Sequence, residues 1–388
     1  MLNYTNQIIE LAKKTKNLNI SPFAFAFRWC NNACDFCYLK DYILQKPLSL
    51  ESIKDINNSV IIWLNDHISK IPKDVNIQVT LIGGELFCCD DKYYNEYNYL
   101  LEKLKHIIET NGNLITYTFF SNLLYDKDKL ANLIKLSKKY NSNIVTSFDT
   151  LDRFKNENAL NNWYTNISII KENNINLTIG MILSKKSIYK LININDIYTE
   201  TYYKLLNEKW NIDYDIFIPN SDINYENIPT QQDLINFYKH IIDKYWGNLP
   251  NNPIFNYQEV DDIIDYPIYI NCAKLMFLPS TEINPKINLM RGEYNIAELY
   301  CNDMCRFNTL QNTKKKILKD NHKKEFICIA DKKQVEYYYD NILKCNICKM
   351  RGYCNKEKLR DCYIDKRYFI WNDTCWVKQV LLYLKKKI

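Results

Sequence analysis

Between Ser21 and Pro219 the chain alternates short apolar, β-branched or aromatic runs with longer segments of helical period, a pattern that admits little besides a parallel β/α domain. Six strands are expected: Phe23 to Trp29, Ile77 to Ile82, Leu114 to Phe120, Asn143 to Phe148, Asn176 to Leu183 and Tyr214 to Ile218. Between the second and third, Leu100, Leu101, Leu104, Ile107 and Ile108 form one apolar stripe, closed by Gly112 in a helix-stop position. Leu130, Leu133, Ile134 and Leu136 repeat the arrangement before the fourth strand, and Leu234, Phe237, Tyr238, Ile241 and Ile242 repeat it after the sixth. The crossovers are therefore helical. From Gly247 to Pro253 the text turns to Asn, Pro and Gly, a linker signal, and beyond it the alternation stops. The expected division is a helical N-terminal segment (1–20), a β/α unit (21–250) and a smaller unit (251–388). A chain of 388 residues, 47% apolar, has room for both cores.

The smaller unit is dense in cysteine: nine of the fourteen in the chain lie between Cys272 and Cys375. No stretch approaches the roughly 18 consecutive apolar residues that span a bilayer, and Met1 to Lys14 lacks a basic-then-apolar secretory pattern. The expectation is a cytoplasmic protein without a membrane partner. In that reducing compartment cysteines serve metal ligation or thiol chemistry, since structural disulfides do not persist there. The formal charge of +6 is spread through Lys- and Asn-rich segments such as Lys314 to Lys324 and forms no basic arm, so nucleic acid is not an expected partner.

Directly after the first expected strand stands Cys30-Asn-Asn-Ala-Cys34-Asp-Phe-Cys37-Tyr38. Three thiolates on one short loop hold three irons of a [4Fe-4S] cube and leave the fourth iron open to a small molecule. The competing assignment, a zinc knuckle, is poorly served by three ligands, because closed zinc sites take four. This run, in its place after the first strand of a β/α domain, resembles the signature of the radical S-adenosylmethionine (radical SAM) superfamily. The resemblance implies a partial, six-stranded (β/α) barrel of TIM type, with Phe36 against the adenine and Tyr38 beside it in the cofactor-binding set.

Two of only seven glycines sit together in Gly83-Gly84-Glu85 at the end of the second strand, which suggests that the backbone there must come close to a ligand. By resemblance this stretch binds the methionine amino group of S-adenosylmethionine; Leu86 follows where many family members have proline. Ser121-Asn122 and Ser147-Phe148-Asp149 end the third and fourth strands, at the carboxyl rim where barrel ligands collect. The resemblance assigns Ser121, Asn122, Ser147 and Asp149 to ribose hydroxyls and the methionine carboxylate. The alternative for these polar residues is helix capping.

Near the end, Cys345-x2-Cys348-x5-Cys354 is followed by Cys362 and Cys375, and upstream stand Cys301-x3-Cys305 and Cys328. This array resembles the SPASM extension of radical SAM proteins, which carries two auxiliary [4Fe-4S] clusters. The implied ligand sets are Cys301, Cys305, Cys328 and Cys362 for one cluster, and Cys345, Cys348, Cys354 and Cys375 for the other. Cys362 follows Cys354 after seven residues where the pattern has three, and Cys272 is an alternative to Cys301. Zinc is the competing metal for such C-x2-C pairs. Cys88 and Cys89 remain: either one gives a hydrogen atom to a substrate radical, or both are small buried residues at a helix start, the reading preferred here.

The implied activity is cleavage of S-adenosylmethionine to a 5′-deoxyadenosyl radical that abstracts a substrate hydrogen, with electrons from a flavodoxin or ferredoxin-type donor. The implied substrate is a peptide or protein, oxidised or crosslinked as by RiPP and sulfatase-type maturases. The segment Met1 to Ile20 is too short for the peptide-recognition domain that many such maturases carry. An enzyme acting on a small sugar- or amino-acid-derived metabolite, and a non-enzymatic iron-sulfur or zinc protein, are the alternatives. No acid or base in the chain is singled out as catalytic.

Overall fold

The computed structural model describes residues 6, 9–10, 12–13, 16–24, 26–32, 34, 37, 43–151, 153–216, 226–245, 273–277, 296–301 and 375–387. Eight strands form one sheet: β1 (Asn17–Ser21), β2 (Asn76–Leu81), β3 (Ile115–Phe120), β4 (Asn143–Phe148), β5 (Leu177–Leu183), β6 (Ile212–Ile216), β7 (Ala273–Phe277) and β8 (Ile296–Cys301). The crossovers carry α1 (Leu50–His67), α2 (Asp91–Asn111), α3 (Lys127–Tyr140), α4 (Glu157–Glu172), and the pair α5 (Lys185–Asn193) and α6 (Ile197–Asn207). After β6 come α7 (Gln231–Tyr245) and α8 (Trp376–Lys385).

The strand order is β6-β5-β4-β3-β2-β1-β7-β8, parallel from β6 through β7. Each of the first six strands is laid beside the one before it, with no reversal of direction across the sheet. With right-handed crossovers such an order puts every helix on one face, so the sheet winds as a barrel and not as a doubly wound sandwich. The helices start and stop where the sequence says they should. Ser49, Asp126, Asn156 and Ser184 accept backbone amides at the starts of α1, α3, α4 and α5. Gly112 ends α2 in the left-handed region at φ 86°, and Asn141 does the same for α3. Leu100, Leu101, Leu104 and Ile108 of α2, and Leu130, Leu133 and Leu136 of α3, are buried as their stripes require.

The first strand departs from the expectation. Phe23 to Trp29 does not pair into the sheet as a strand; β1 lies earlier, at Asn17–Ser21, and Phe27 donates its amide back to the Phe23 carbonyl at 3.0 Å in a turn. The alternating letters Asn17, Asn19 and Ser21 disguised a buried strand. Asn19 Nδ2 donates to Gln78 Oε1 (2.9 Å) and Thr80 Oγ1 (2.8 Å), and Gln78 Nε2 donates to Thr118 Oγ1 (2.9 Å), a polar ladder across β1, β2 and β3. Buried polar groups are tolerated because each finds a partner. The sheet also continues past residue 250. β7 joins β1 in parallel and β8 closes on β7 antiparallel, strands of five and six residues too short to stand out in a cysteine-rich text.

Helix α8 brings the end of the described chain back to the β/α unit. Trp376, 1% exposed, stacks on Tyr238 of α7 with ring centroids 5.4 Å apart. Beyond it, Tyr383 Oη donates to both oxygens of Asp243 at 2.7 Å and Lys387 pairs with the same carboxylate at 2.7 Å. Cys375 precedes this helix as its N-cap residue.

Candidate functional site

Because β1 to β4 are parallel, the residues that follow them emerge on one rim. Cys30, Cys34 and Cys37 follow β1, Gly83-Gly84-Glu85 follows β2, Ser121-Asn122 follows β3 and Asp149 follows β4. The structure joins these loops to one another by hydrogen bonds.

The two glycines are required, and the reason is the chain itself. A Cβ on Gly84 would stand 1.9 Å from the Trp29 carbonyl oxygen, and one on Gly83 would stand 2.7 Å from that of Phe27. In this gap Gly84 donates its amide to Phe27 O at 2.6 Å and Glu85 donates to Trp29 O at 2.8 Å. The glycine pair thus clasps the backbone that leads into Cys30.

Glu85 is fully buried. Its Oε1 accepts from the Phe87 amide (3.2 Å) and from Ser121 Oγ (3.0 Å), and its Oε2 accepts from the Asn122 amide. Burial pushes its carboxyl up to about 7, while the Asn122 and Phe87 amides, the Ser121 hydroxyl and Arg153 act in the opposite direction. Three donors leave a carboxylate with room for one more, and an arriving ammonium would restore its charge. Ser121 is held in turn by Tyr125, whose hydroxyl lies 2.8 Å from Oγ.

Asn122 carries the network to the cysteines. Its Nδ2 donates to Asn31 Oδ1 at 2.6 Å and reaches Cys30 Sγ at 3.7 Å. The Asn32 amide nitrogen lies 3.4 Å from Cys30 Sγ, and Asn32 Nδ2 lies 3.1 Å from Cys34 Sγ. Arg153 Nη1 approaches Cys34 Sγ at 3.8 Å, and Nη2 donates to Asn122 O at 3.3 Å. Asp149 is 4% exposed and accepts the Leu151 amide at 2.9 Å. Lys190 Nζ donates to Thr150 O at 2.6 Å and pairs with Asp196 at 2.8 Å, which fixes the turn between Asp149 and Arg153.

Burial pushes the Cys30 thiol up to about 12, with Glu85 adding to the effect and Cys34 and Cys37 adding further. Cys34 is likewise raised by burial, with Arg153 opposing. Among the described residues no group of three or more His, Cys, Asp and Glu is placed so that it could hold a single metal ion. The donor set nevertheless fits an iron-sulfur cluster. Three thiols on one loop feel one another's charge, amide and guanidinium donors already face two of the sulfurs, and a bound cluster would supply the positive charge that lets buried thiols ionise.

Of the expected site residues, Cys30, Cys34, Cys37, Glu85, Ser121, Asn122 and Asp149 are brought together. Ser147 sits inside β4, half-buried and in register with Gly180. Phe36 and Tyr38 lie outside the described residues, as do Cys272, Cys305, Cys328, Cys345, Cys348, Cys354 and Cys362. Cys301 ends β8. Cys89 is buried with its thiol pushed up to about 12, as a small core residue ahead of α2 would be; Cys88 is half-buried with Lys129 Nζ 3.9 Å from its sulfur. Asn31, Asn32, Tyr125 and Arg153 were not anticipated. Asn31 and Asn32 stood inside the cysteine run, and Arg153 stood four residues past the acid that ends β4.

No family model matches this sequence, and no curated protein does. Solved structures do match. Native anSMEcpe with bound AdoMet and the Cp18Cys peptide, an anaerobic sulfatase maturase, superposes at a TM-score of 0.52 with 14% identity, covering 96% of this chain and 97% of that one. Streptococcus suis SuiB bound to the precursor peptide SuiA gives 0.46 and 14% over 95% of this chain and 79% of that one. The match to anSMEcpe shows the fold: this chain shares the α/β architecture of that structure, a parallel sheet with flanking helices consistent with a partial barrel.

Proposed function

We propose that this chain is a radical SAM enzyme in which Cys30, Cys34 and Cys37 hold a [4Fe-4S] cluster and the surrounding rim binds S-adenosylmethionine. The observation that carries the reading is the convergence on one rim of the three-cysteine loop with a fully buried carboxylate, Glu85, bound to both Ser121 and Asn122. When bound, the cluster and S-adenosylmethionine together supply one-electron cleavage to a radical that abstracts hydrogen. The chain's own residues do the rest. Glu85 offers its remaining acceptor capacity to the amino group of the ligand. Ser121, Asn122 and Asp149 stand on the same rim, and Gly83 and Gly84 hold the backbone that leads into the cysteine loop close against the end of β2.

The substrate in this reading is a peptide or protein, modified by oxidation or crosslinking. The likeness in fold to anSMEcpe, whose structure holds AdoMet and a peptide, supports it. Two auxiliary clusters, on Cys301, Cys305, Cys328 and Cys362 and on Cys345, Cys348, Cys354 and Cys375, and a flavodoxin or ferredoxin-type electron donor complete the proposal. Among the described residues no helix is long and apolar enough to cross a membrane.

The test is anaerobic purification and reconstitution with iron and sulfide, followed by metal analysis and mass spectrometry of candidate peptides after reduction with S-adenosylmethionine. About twelve irons per chain, the content of three four-iron clusters, is expected, together with a peptide mass lowered by whole hydrogens. Zinc in place of iron would overturn the reading. Iron with no change in any peptide would remove only the substrate class.

A further inference from the structure

The three thiols of the site are not treated alike. Cys30 is met by the Asn32 backbone amide and the Asn122 side chain, at 3.4 and 3.7 Å, both neutral donors. Cys34, the most buried of the three, is met by the Asn32 side-chain amide at 3.1 Å and by the guanidinium of Arg153 at 3.8 Å. Arg153 is itself only 4% exposed, and its Nε has no partner among the described residues.

A guanidinium this deeply buried is stabilised only by negative charge close by. Two buried acids share this site: Glu85, whose carboxyl Arg153 draws down, and Asp149, which accepts the Leu151 amide. The group that Arg153 Nη1 reaches is the Cys34 sulfur. The remaining contacts fix it there. Nη2 donates to Asn122 O at 3.3 Å, and Asn32 Nδ2, while donating to Cys34, also donates to the Arg153 carbonyl at 2.9 Å. Asn32 therefore ties the cysteine loop to the turn after β4, and Lys190 anchors that turn from outside.

We propose that Arg153, seconded by Asn32, is a positioning residue for the electron-transfer step, donating a charged hydrogen bond to the Cys34 thiolate and so raising the reduction potential of the cluster on Cys30, Cys34 and Cys37. The inference rests on the radical SAM reading above. Its physical content is that reduction adds negative charge to a cluster, and a cation with hydrogen-bond donors on a ligand sulfur stabilises the reduced form more than the oxidised one. Arg153 thereby makes the turn after β4 part of the redox control of a loop that follows β1.

The experiment is a potentiometric titration of the reconstituted full-length protein, following the paramagnetic signal that changes when S-adenosylmethionine is added. Wild type is compared with Arg153→Met, Arg153→Lys and Asn32→Leu, with iron content measured in each. The expected result is a midpoint shifted to more negative potential in Arg153→Met at unchanged iron, largely restored in Arg153→Lys, and shifted the same way by less in Asn32→Leu. A merely structural role would change iron content or thermal stability and leave the midpoint in place. Unchanged or more positive midpoints in Arg153→Met and Asn32→Leu overturn the proposal. If Arg153→Met takes up no iron, Asn32→Leu decides by the same criterion. A wild-type protein with no signal responsive to S-adenosylmethionine would instead overturn the reading on which the proposal rests.

Discussion

The amide of Gly84 donates to the carbonyl of Phe27 at 2.6 Å, and through this contact the strand-end glycines hold the loop that presents Cys30. The approach leaves no space for a side chain, since a Cβ at Gly84 would lie 1.9 Å from the Trp29 oxygen. Gly84→Ala must therefore displace the backbone of the cysteine loop. The expected outcome is a loss of at least about 2 kcal/mol in stability, in the range of substitutions that clash in a packed interior, together with loss of bound iron. Thermal melting and metal analysis of the reconstituted variant check it; iron content equal to wild type would show that the clasp does not set the cysteine loop.

Glu85 gives the cluster-free protein a distinctive pH dependence. Its carboxyl is raised by burial from 4.5 to about 7, so the folded state holds a proton that the unfolded chain has already released between those values. Stability should fall as pH rises from about 4.5 to about 7 and level off above, by up to about 3 kcal/mol at roughly 1.4 kcal/mol per unit. The Cys30 thiol, held at about 12, does not titrate in that window. Denaturant melts at several pH values should show this slope in wild type and its removal in Glu85→Gln. A slope that survives the substitution would assign it to another group.

Trp376 couples the end of the chain to α7. Replacing this buried, stacked side chain with alanine should cost about 3–5 kcal/mol if the contact behaves as other large core truncations do. Because Cys375 is its neighbour, Trp376→Ala is also expected to lower the iron content by about four per chain, the loss of one auxiliary cluster. Iron analysis on soluble, folded variant protein separates the two effects. Full iron with lowered stability would remove Cys375 from the proposed ligand set.

Much of this architecture is written in local patterns. The stripe of Leu100, Leu101, Leu104 and Ile108 with its Gly112 stop announces α2 because burial on one helical face and a left-handed cap are both local requirements. The strand β1 was hidden because its polar residues, Asn19 above all, are satisfied by Gln78 and Thr80 on a neighbouring strand, partners that a periodicity cannot display. The same holds at the site. Cys30, Cys34 and Cys37 advertise themselves by spacing, whereas Arg153 matters only because folding carries it 119 residues along the chain to Cys34. Gly83 and Gly84 were legible as a close approach, but what approaches is the backbone of Phe27 and Trp29.

A radical SAM enzyme must cleave S-adenosylmethionine reductively. The measurement is 5′-deoxyadenosine formed per chain by reconstituted, dithionite-reduced protein under anaerobic conditions, with Cys34→Ala as the comparison. Wild type should form deoxyadenosine, and Cys34→Ala none above background. Wild-type protein that carries its iron and S-adenosylmethionine yet forms no deoxyadenosine would rule out the radical SAM reading.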